Sequence, residues 1–413
     1  MLDIRFIREN ADLVQTNAKN KGYEVNIARV LELDSLKRSS QQKADELREK
    51  RNSLSSQLQG RPSEEAVVQA KAVKEDLNNI ESELKRIDDE FSELMNQVPN
   101  IVQSGVPVGG EEDSEEIHKV GEQKTGAIDH LEFALKRDWI DFDRGAKVAG
   151  AKFYFLKGDL ALLENAIMQF ALDFVTKKGF TYLTVPAMVN SRVATGTGFA
   201  PRTSDQTDSY YIEGEDLTLI ATAEMPLTGF HADEIIDEDK LPLRYVGYSP
   251  SFRKEAGTYG KHNRGLFRVH QFNKLELYEF TLPEQSVQAH EEILALEEEI
   301  WKTLGIPYRV INIATGDLGA PASKKYDIEY WSPVDSTYRE LTSASNCTDF
   351  QARNLNIRVR RNSGEIETLH TLNGTAVALS RSLIAVLEHY QNVDGSLTVP
   401  EALKPYLGGR ELL

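Results

Sequence analysis

Between residues 70 and 98, apolar side chains return at alternating intervals of three and four. They are Ala70, Val73, Leu77, Ile80, Leu84, Ile87, Phe91, Leu94 and Val98. A mean interval of 3.5 is the heptad seam of a helix that must bury one stripe against another helix. Just upstream, Gly60, Arg61 and Pro62 break the chain, and Ser63-Glu64-Glu65 opens a new helix with acids in its first turn, where they suit the helix dipole. Before the break, Leu33, Ala44, Leu47, Leu54 and Leu58 share a poorer seam, interrupted by Lys37, Ser40 and Arg51. Two helices joined by a short Gly-Pro turn make an antiparallel hairpin, with arms of about 40–50 Å at 1.5 Å per residue. A dimerising coiled coil is the alternative, but the poor first seam suits an intramolecular partner better.

Residues 1–30 read as a short helical segment ahead of this arm, and Pro99 stops its second helix. Residues 105–127, glycine-rich and acidic, read as a linker or exposed loop. From residue 128 to the end the texture is mixed. DLALLENAIMQFALDFVTKKG and LSRSLIAVLEHYQ have helical periodicity, and FTYLTVP, LTLIATAE, YRVINIATG, KYDIEYWS and RELTSASN read as strands. Strands outnumber crossover helices, which predicts an α+β domain built on a large antiparallel sheet flanked by helices. The expected domains are therefore 1–104 and 128–413, with 105–127 between them.

Charge sets the next question. The chain has 48 Lys and Arg against 65 Asp and Glu, a net charge of −17, which excludes a general nucleic-acid coat. Yet SFRKEAGTYGKHNRGLFRVHQFNKLEL, residues 251–277, carries Arg253, Lys254, Lys261, Arg264, Arg268 and Lys274 in a stretch broken by glycines. Such a loop suits a polyanion, and arginine's planar fork suits phosphate oxygens. The spacing is not GxxxxGK[ST], so it is no P-loop. A solvated β-hairpin is the competing reading. A single cysteine, Cys347, excludes a disulfide framework and any multi-cysteine zinc site. With no apolar h-region at the start and no run of about 18 apolar residues, a cytoplasmic protein without a membrane span is expected.

FRKEAG followed by RGLFRVHQFNKLE resembles motif 2 of the class II aminoacyl-tRNA synthetases, in the form found in the seryl-tRNA synthetases. KKGFTYLTVPAMVN is similar to motif 1, with Pro186 at its dimer interface, and LNGTAVALSRSLIAVLEHYQ to motif 3. ATAEMPL and RELTSASNCTDFQARN resemble the serine-site and metal-site segments of that family, and a coiled-coil arm ahead of the catalytic domain is its domain order. The resemblance implies a class II fold, a homodimer and a two-step reaction on L-serine, ATP and tRNA-Ser, with tRNA-Sec open as a further partner.

Residue by residue, the resemblance implies that Arg253 holds the α-phosphate and the serine carboxylate. Glu255 would contact the adenine, which Phe272 and Arg381 would sandwich, while Arg268 reaches the terminal phosphates. Lys254, Val269, Leu341 and Thr342 would complete the nucleotide site. Glu340 and Ser343 would offer oxygen ligands to Mg²⁺. Thr222, Ala223 and Glu224 would take the serine ammonium group, and Glu276 and Thr375 its hydroxyl, with Asn373 nearby. Zinc is not expected, since the zinc-dependent branch of the family uses cysteine ligands. For tRNA, Lys37, Lys43, Arg48, Lys50, Arg51 and Arg61 lie on the arm, and Lys261 and Arg264 in the motif 2 loop. His262-Asn263 departs from the usual Asp-Thr of that loop, and Ser380 replaces a common glycine before Arg381. Two other readings share the motifs: a non-catalytic tRNA-binding paralogue, and a ligase that loads an amino acid onto a carrier protein.

Overall fold

The heptad seam folds as its spacing dictates. The computed structural model describes residues 1–57, 63–199, 208–255 and 264–413, in two units, Met1–Pro99 and Asn100–Leu413. In the first, short helices α1 (Ile4–Glu9) and α2 (Ala11–Asn20) precede the long helices α3 (Ile27–Gln57) and α4 (Glu64–Gln97). Leu58, Gly60, Arg61 and Pro62 lie outside the described residues.

Along α4, Val73, Leu77 and Ile87 are buried, as is Val98 just past its end, and the other seam residues are half-buried. Leu33, Ala44 and Leu54 of α3, which packs against α4, are buried as well. Of the polar interruptions of the α3 seam, Ser40 is buried, Arg51 is exposed, and Lys37 reaches across to α4, as does Arg48 nearby. Lys37 lays its ammonium over the Phe91 ring, 5.1 Å from the centroid, and bonds Asp88. Arg48 reaches Glu81 at 2.8 Å. These two residues, expected at the RNA, pair with acids of the opposite helix while their side chains stay partly exposed, and Arg48 also pairs with Asp45 of its own helix at 2.8 Å. Lys43, Lys50 and Arg51 remain exposed.

In the second unit an eight-stranded sheet runs in the order β1-β5-β6-β7-β8-β4-β3-β2. Its strands are β1 (Glu115–Val120), β2 (Thr181–Thr184), β3 (Leu243–Phe252), β4 (Gln271–Thr281), β5 (Tyr308–Asn312), β6 (Lys324–Ser332), β7 (Thr337–Thr348) and β8 (His370–Ala378). All neighbours are antiparallel except β2 and β3. Helices α5 (Asp159–Lys177), α6 (Ser286–Thr303) and α7 (Leu379–Tyr390) supply Leu163, Ile293 and Leu383 to a core shared with Leu275 and Leu277 of β4. Strand alternation then turns Phe272, Lys274 and Glu276 to the other face. No helix among the described residues is long and apolar enough to cross a membrane.

Two segments differ from expectation. Residues 115–120, within the stretch read as linker, form the edge strand β1 paired with β5. Its charged sequence EEIHKV is exposed almost throughout, so it carries no burial pattern to read. LTLIATAE is strand only at Thr218–Leu219, and Glu224–Gly229 is helical. There the Thr222 hydroxyl accepts the Glu224 N–H at 3.3 Å and turns the chain.

Candidate active site

The cavity of about 660 Å³ opens on the sheet face opposite the helical core. Three β-bulges shape it. One extra residue in a strand restores facing to side chains that alternation would separate. In β7 the register against β6 shifts at Leu341, so Glu340 and Ser343, three residues apart, both line the cavity. In β8 the shift at Ala376 lets Asn373, Thr375 and Ala378 share that face. A third falls at Cys347, which also lines the cavity.

Acids and bases are paired across this space. Arg381 Nη1 lies 2.7 Å from Glu340 Oε1, and its guanidinium sits 4.9 Å over the Phe267 ring. Arg268 Nη1 lies 3.0 Å from Glu255 Oε2. Arg253 stacks over Phe272 at 5.3 Å, and its Nε approaches the Ala221 carbonyl at 3.4 Å. Lys274 Nζ meets Glu276 Oε2 at 2.5 Å, with both side chains buried. Glu255 has φ of +50°, a region that costs a non-glycine residue about 1–3 kcal/mol and concentrates at functional sites.

Burial sets the protonation pattern. It pushes the Glu224 carboxyl up to about 7, helped by the neighbouring Glu276 charge and opposed by Gln351, Lys274 and Arg253. Gln351 Nε2 donates to Glu224 Oε1 at 2.7 Å and Asn373 Nδ2 at 3.0 Å. Asn373, expected near the serine hydroxyl, thus holds the carboxylate expected to take the ammonium. Burial also raises Glu276, against Lys274 and Arg253. Glu340 behaves oppositely: burial would raise it, but Arg381 and Lys325 outweigh that and hold it at about 2.

Most residues expected in the site meet in this one cavity. Thr222, Glu224, Arg253, Glu255, Val269, Phe272, Glu276, Glu340, Leu341, Thr342, Ser343, Asn373, Thr375 and Arg381 all line it. Ala223 is instead fully buried in a separate apolar cluster. Lys254 turns its ammonium towards the Tyr210 and Tyr211 rings, at 5.7 and 6.0 Å. Arg268 reaches the cavity through Glu255. Ser380 is buried beside Arg381 and lines the wall. Arg264 and Pro186 are exposed. Lys261, His262 and Asn263 lie outside the described residues. Sequence reasoning gave no site role to Lys274, Lys325, Gln351 or Phe267. Lys274 could have been found, since two residues before Glu276 on one strand puts both on one face.

A family model described as tRNA synthetase class II core domain (G, H, P, S and T) matches residues 209–390, and the seryl-tRNA synthetase N-terminal domain matches residues 1–102. A serine–tRNA ligase of Dictyoglomus turgidum is 45% identical over 422 residues, covering 100% of this chain and 99% of that protein. One from Rubrobacter xylanophilus is 44% identical with the same coverage. Among solved structures, the seryl-tRNA synthetase of Pyrococcus horikoshii complexed with ATP superposes with a TM-score of 0.89 at 39% identity, over 100% of this chain and 99% of that one. The cytoplasmic serine–tRNA ligase of Naegleria fowleri in complex with AMP gives 0.85 at 33%, over 100% and 98%. From end to end, this chain belongs to the seryl-tRNA synthetase family of class II aminoacyl-tRNA synthetases.

Proposed function

We propose that the cavity performs the two steps of an ATP-dependent serine–tRNA ligase. The carboxylate of L-serine attacks the α-phosphorus of ATP and pyrophosphate leaves; the 3′-terminal hydroxyl of tRNA-Ser then attacks the seryl-adenylate carbonyl, losing its proton as the acyl–phosphate bond breaks and AMP leaves. No protein nucleophile is needed. The work is charge neutralisation and in-line positioning. One observation carries the reading: a buried acid set, Glu224 and Glu276, shares a cavity with Arg253 and Arg381. The first suits an ammonium and a hydroxyl, the second phosphates.

Arg253 bridges the serine carboxylate and the α-phosphate, and Phe272 and Arg381 flank the adenine. Arg268 turns from Glu255 to the terminal phosphates and frees that carboxylate for the adenine. Lys274 neutralises Glu276, leaving an acceptor for the serine hydroxyl beside Thr375. A site that bonds a hydroxyl rejects an analogue lacking it, since its buried polar groups are left unpaired. Glu340, ionised at about 2, and Ser343 are hard oxygen donors, the set Mg²⁺ takes. When bound there, the ion neutralises charge on the phosphate oxygens.

The full charged set speaks against a non-catalytic paralogue, and the long helical arm, which a carrier-protein ligase would not need, speaks against that reading. A homodimer through motif 1 is supported by Leu162, Tyr182 and Met188, all more than a third exposed on the helix and strands around Pro186. The cytoplasm is the compartment where its tRNA partner is charged, with selenocysteine tRNA a second candidate. ATP–pyrophosphate exchange with each of the twenty amino acids tests the reading. Exchange with serine alone is expected; exchange with none, or with alanine or threonine in its place, would overturn it.

A further inference from the structure

His130 lies outside the cavity and outside every motif singled out above, yet it is 2% exposed and both ring nitrogens are engaged. It opens the short helix His130–Lys136. Its Nε2 lies 3.3 Å from the backbone nitrogen of Leu266. Its Nδ1 lies 3.3 Å from Glu388 Oε1 on α7 and 3.7 Å from Asp129 Oδ2. A backbone N–H only donates, so Nε2 must carry the lone pair and Nδ1 the proton, which then points at Glu388. Glu388 Oε2 is taken by Ser332 Oγ at 2.8 Å and Tyr330 OH at 3.3 Å, and Arg339 Nη1 stands 3.9 Å from Oε1. Asp129, His130 and Glu388 are the one acid–histidine group close enough to hold a metal ion among the described residues. Their atoms are already committed to these hydrogen bonds, so the group reads as a relay.

The relay ends at the adenine wall. Leu266 is fully buried; Phe267 carries the Arg381 guanidinium; and Arg268 bonds Glu255. Helix α7 therefore grips this segment twice, directly through Arg381 and, seven residues on, through Glu388 and His130. Gly265 fits the arrangement. Its φ is +63°, and a Cβ there would stand 2.4 Å from His130 Nε2.

We propose that His130 is a positioning residue for ATP: by accepting the Leu266 N–H it fixes Phe267 and Arg268, and through them Arg381 and Glu255. This rests on the ATP reading of the cavity. The test separates the two nitrogens. His130→Gln keeps an acceptor at the Nε2 position, whereas His130→Asn keeps only the bond on the Glu388 side. In serine-dependent ATP–pyrophosphate exchange with the full chain, H130N should raise KM for ATP about tenfold, the loss of one buried hydrogen bond. KM for serine should hold, and H130Q should stay near the unmutated protein. An unchanged ATP KM in H130N, or H130Q as impaired as H130N, would overturn the proposal. Should H130N not fold, Gly265→Ala displaces the ring from the same N–H. A rise confined to ATP KM supports the role, and no change in ATP KM refutes it. Absence of exchange in the unmutated protein would instead sink the ATP reading, so the two failures are distinct.

Discussion

In the ammonium role proposed for it, Glu224 has to be ionised, and its surroundings work against that. Burial and the Glu276 charge raise it to about 7, so the carboxyl is neutral below that pH and charged above it. The acid limb of kcat/KM for serine reports the free protein's groups. It should rise about tenfold between pH 6 and pH 8, the change in ionised fraction for a group titrating near 7. Glu224→Gln should flatten this profile at its low end. A flat profile in the unmutated protein would remove Glu224 from the ammonium role. Glu276 is tested through its neighbour. Glu276→Ala leaves Lys274 buried without its partner and the serine hydroxyl without an acceptor, so kcat/KM for serine should fall roughly 10–100-fold or more. ATP binding, measured directly, should persist. Unchanged serine-dependent exchange would reassign the hydroxyl contact.

Elements explain why the site was only partly legible. The α4 seam could be read because heptad spacing is local: each residue's facing follows from its own number. The motif residues were legible through resemblance, and most of them meet in the cavity. The bulges at Leu341, Cys347 and Ala376 have no such local mark, although they decide why Glu340 and Ser343 share a face. Gln351 and His130 act through partners distant in sequence, which no local spacing marks, whereas Lys274, two residues before Glu276 on one strand, could have been read. Gly374 marks one consequence. A Cβ there would stand 2.3 Å from Ile293 Cγ2 and 2.7 Å from Glu297 Oε1, because α6 presses against β8 beside Thr375. Overpacking of this kind costs about 1–3 kcal/mol, so Gly374→Ala should lower unfolding free energy by that amount in a denaturant titration. It should also weaken serine more than ATP, since Thr375 follows directly. Unaltered stability would mean that α6 yields freely.

At the scale of the molecule, an acidic chain has to accept a polyanion. A net charge of −17 repels nonspecific RNA, and the cations proposed to meet the tRNA lie in the distal part of the arm, residues 37–74, which has 9 Lys and Arg against 5 Asp and Glu. The hairpin now narrows which cations are available. Lys37 and Arg48 are paired with Asp88 and Glu81, whereas Lys43, Lys50 and Arg51 are the more exposed. Lys43→Gln, Lys50→Gln and Arg51→Gln together should therefore weaken tRNA charging and leave serine-dependent ATP–pyrophosphate exchange intact, because adenylate formation involves no RNA. Each lost phosphate contact removes about 0.7–0.9 from the slope of log affinity against log salt. If all three touch phosphates, the tRNA-binding slope should fall by about 2–3. Lys37→Gln alone should act on hairpin stability and leave that slope unchanged. Equal losses in both half-reactions, or an unaltered salt slope in the triple variant, would remove the exposed arm cations from tRNA recognition.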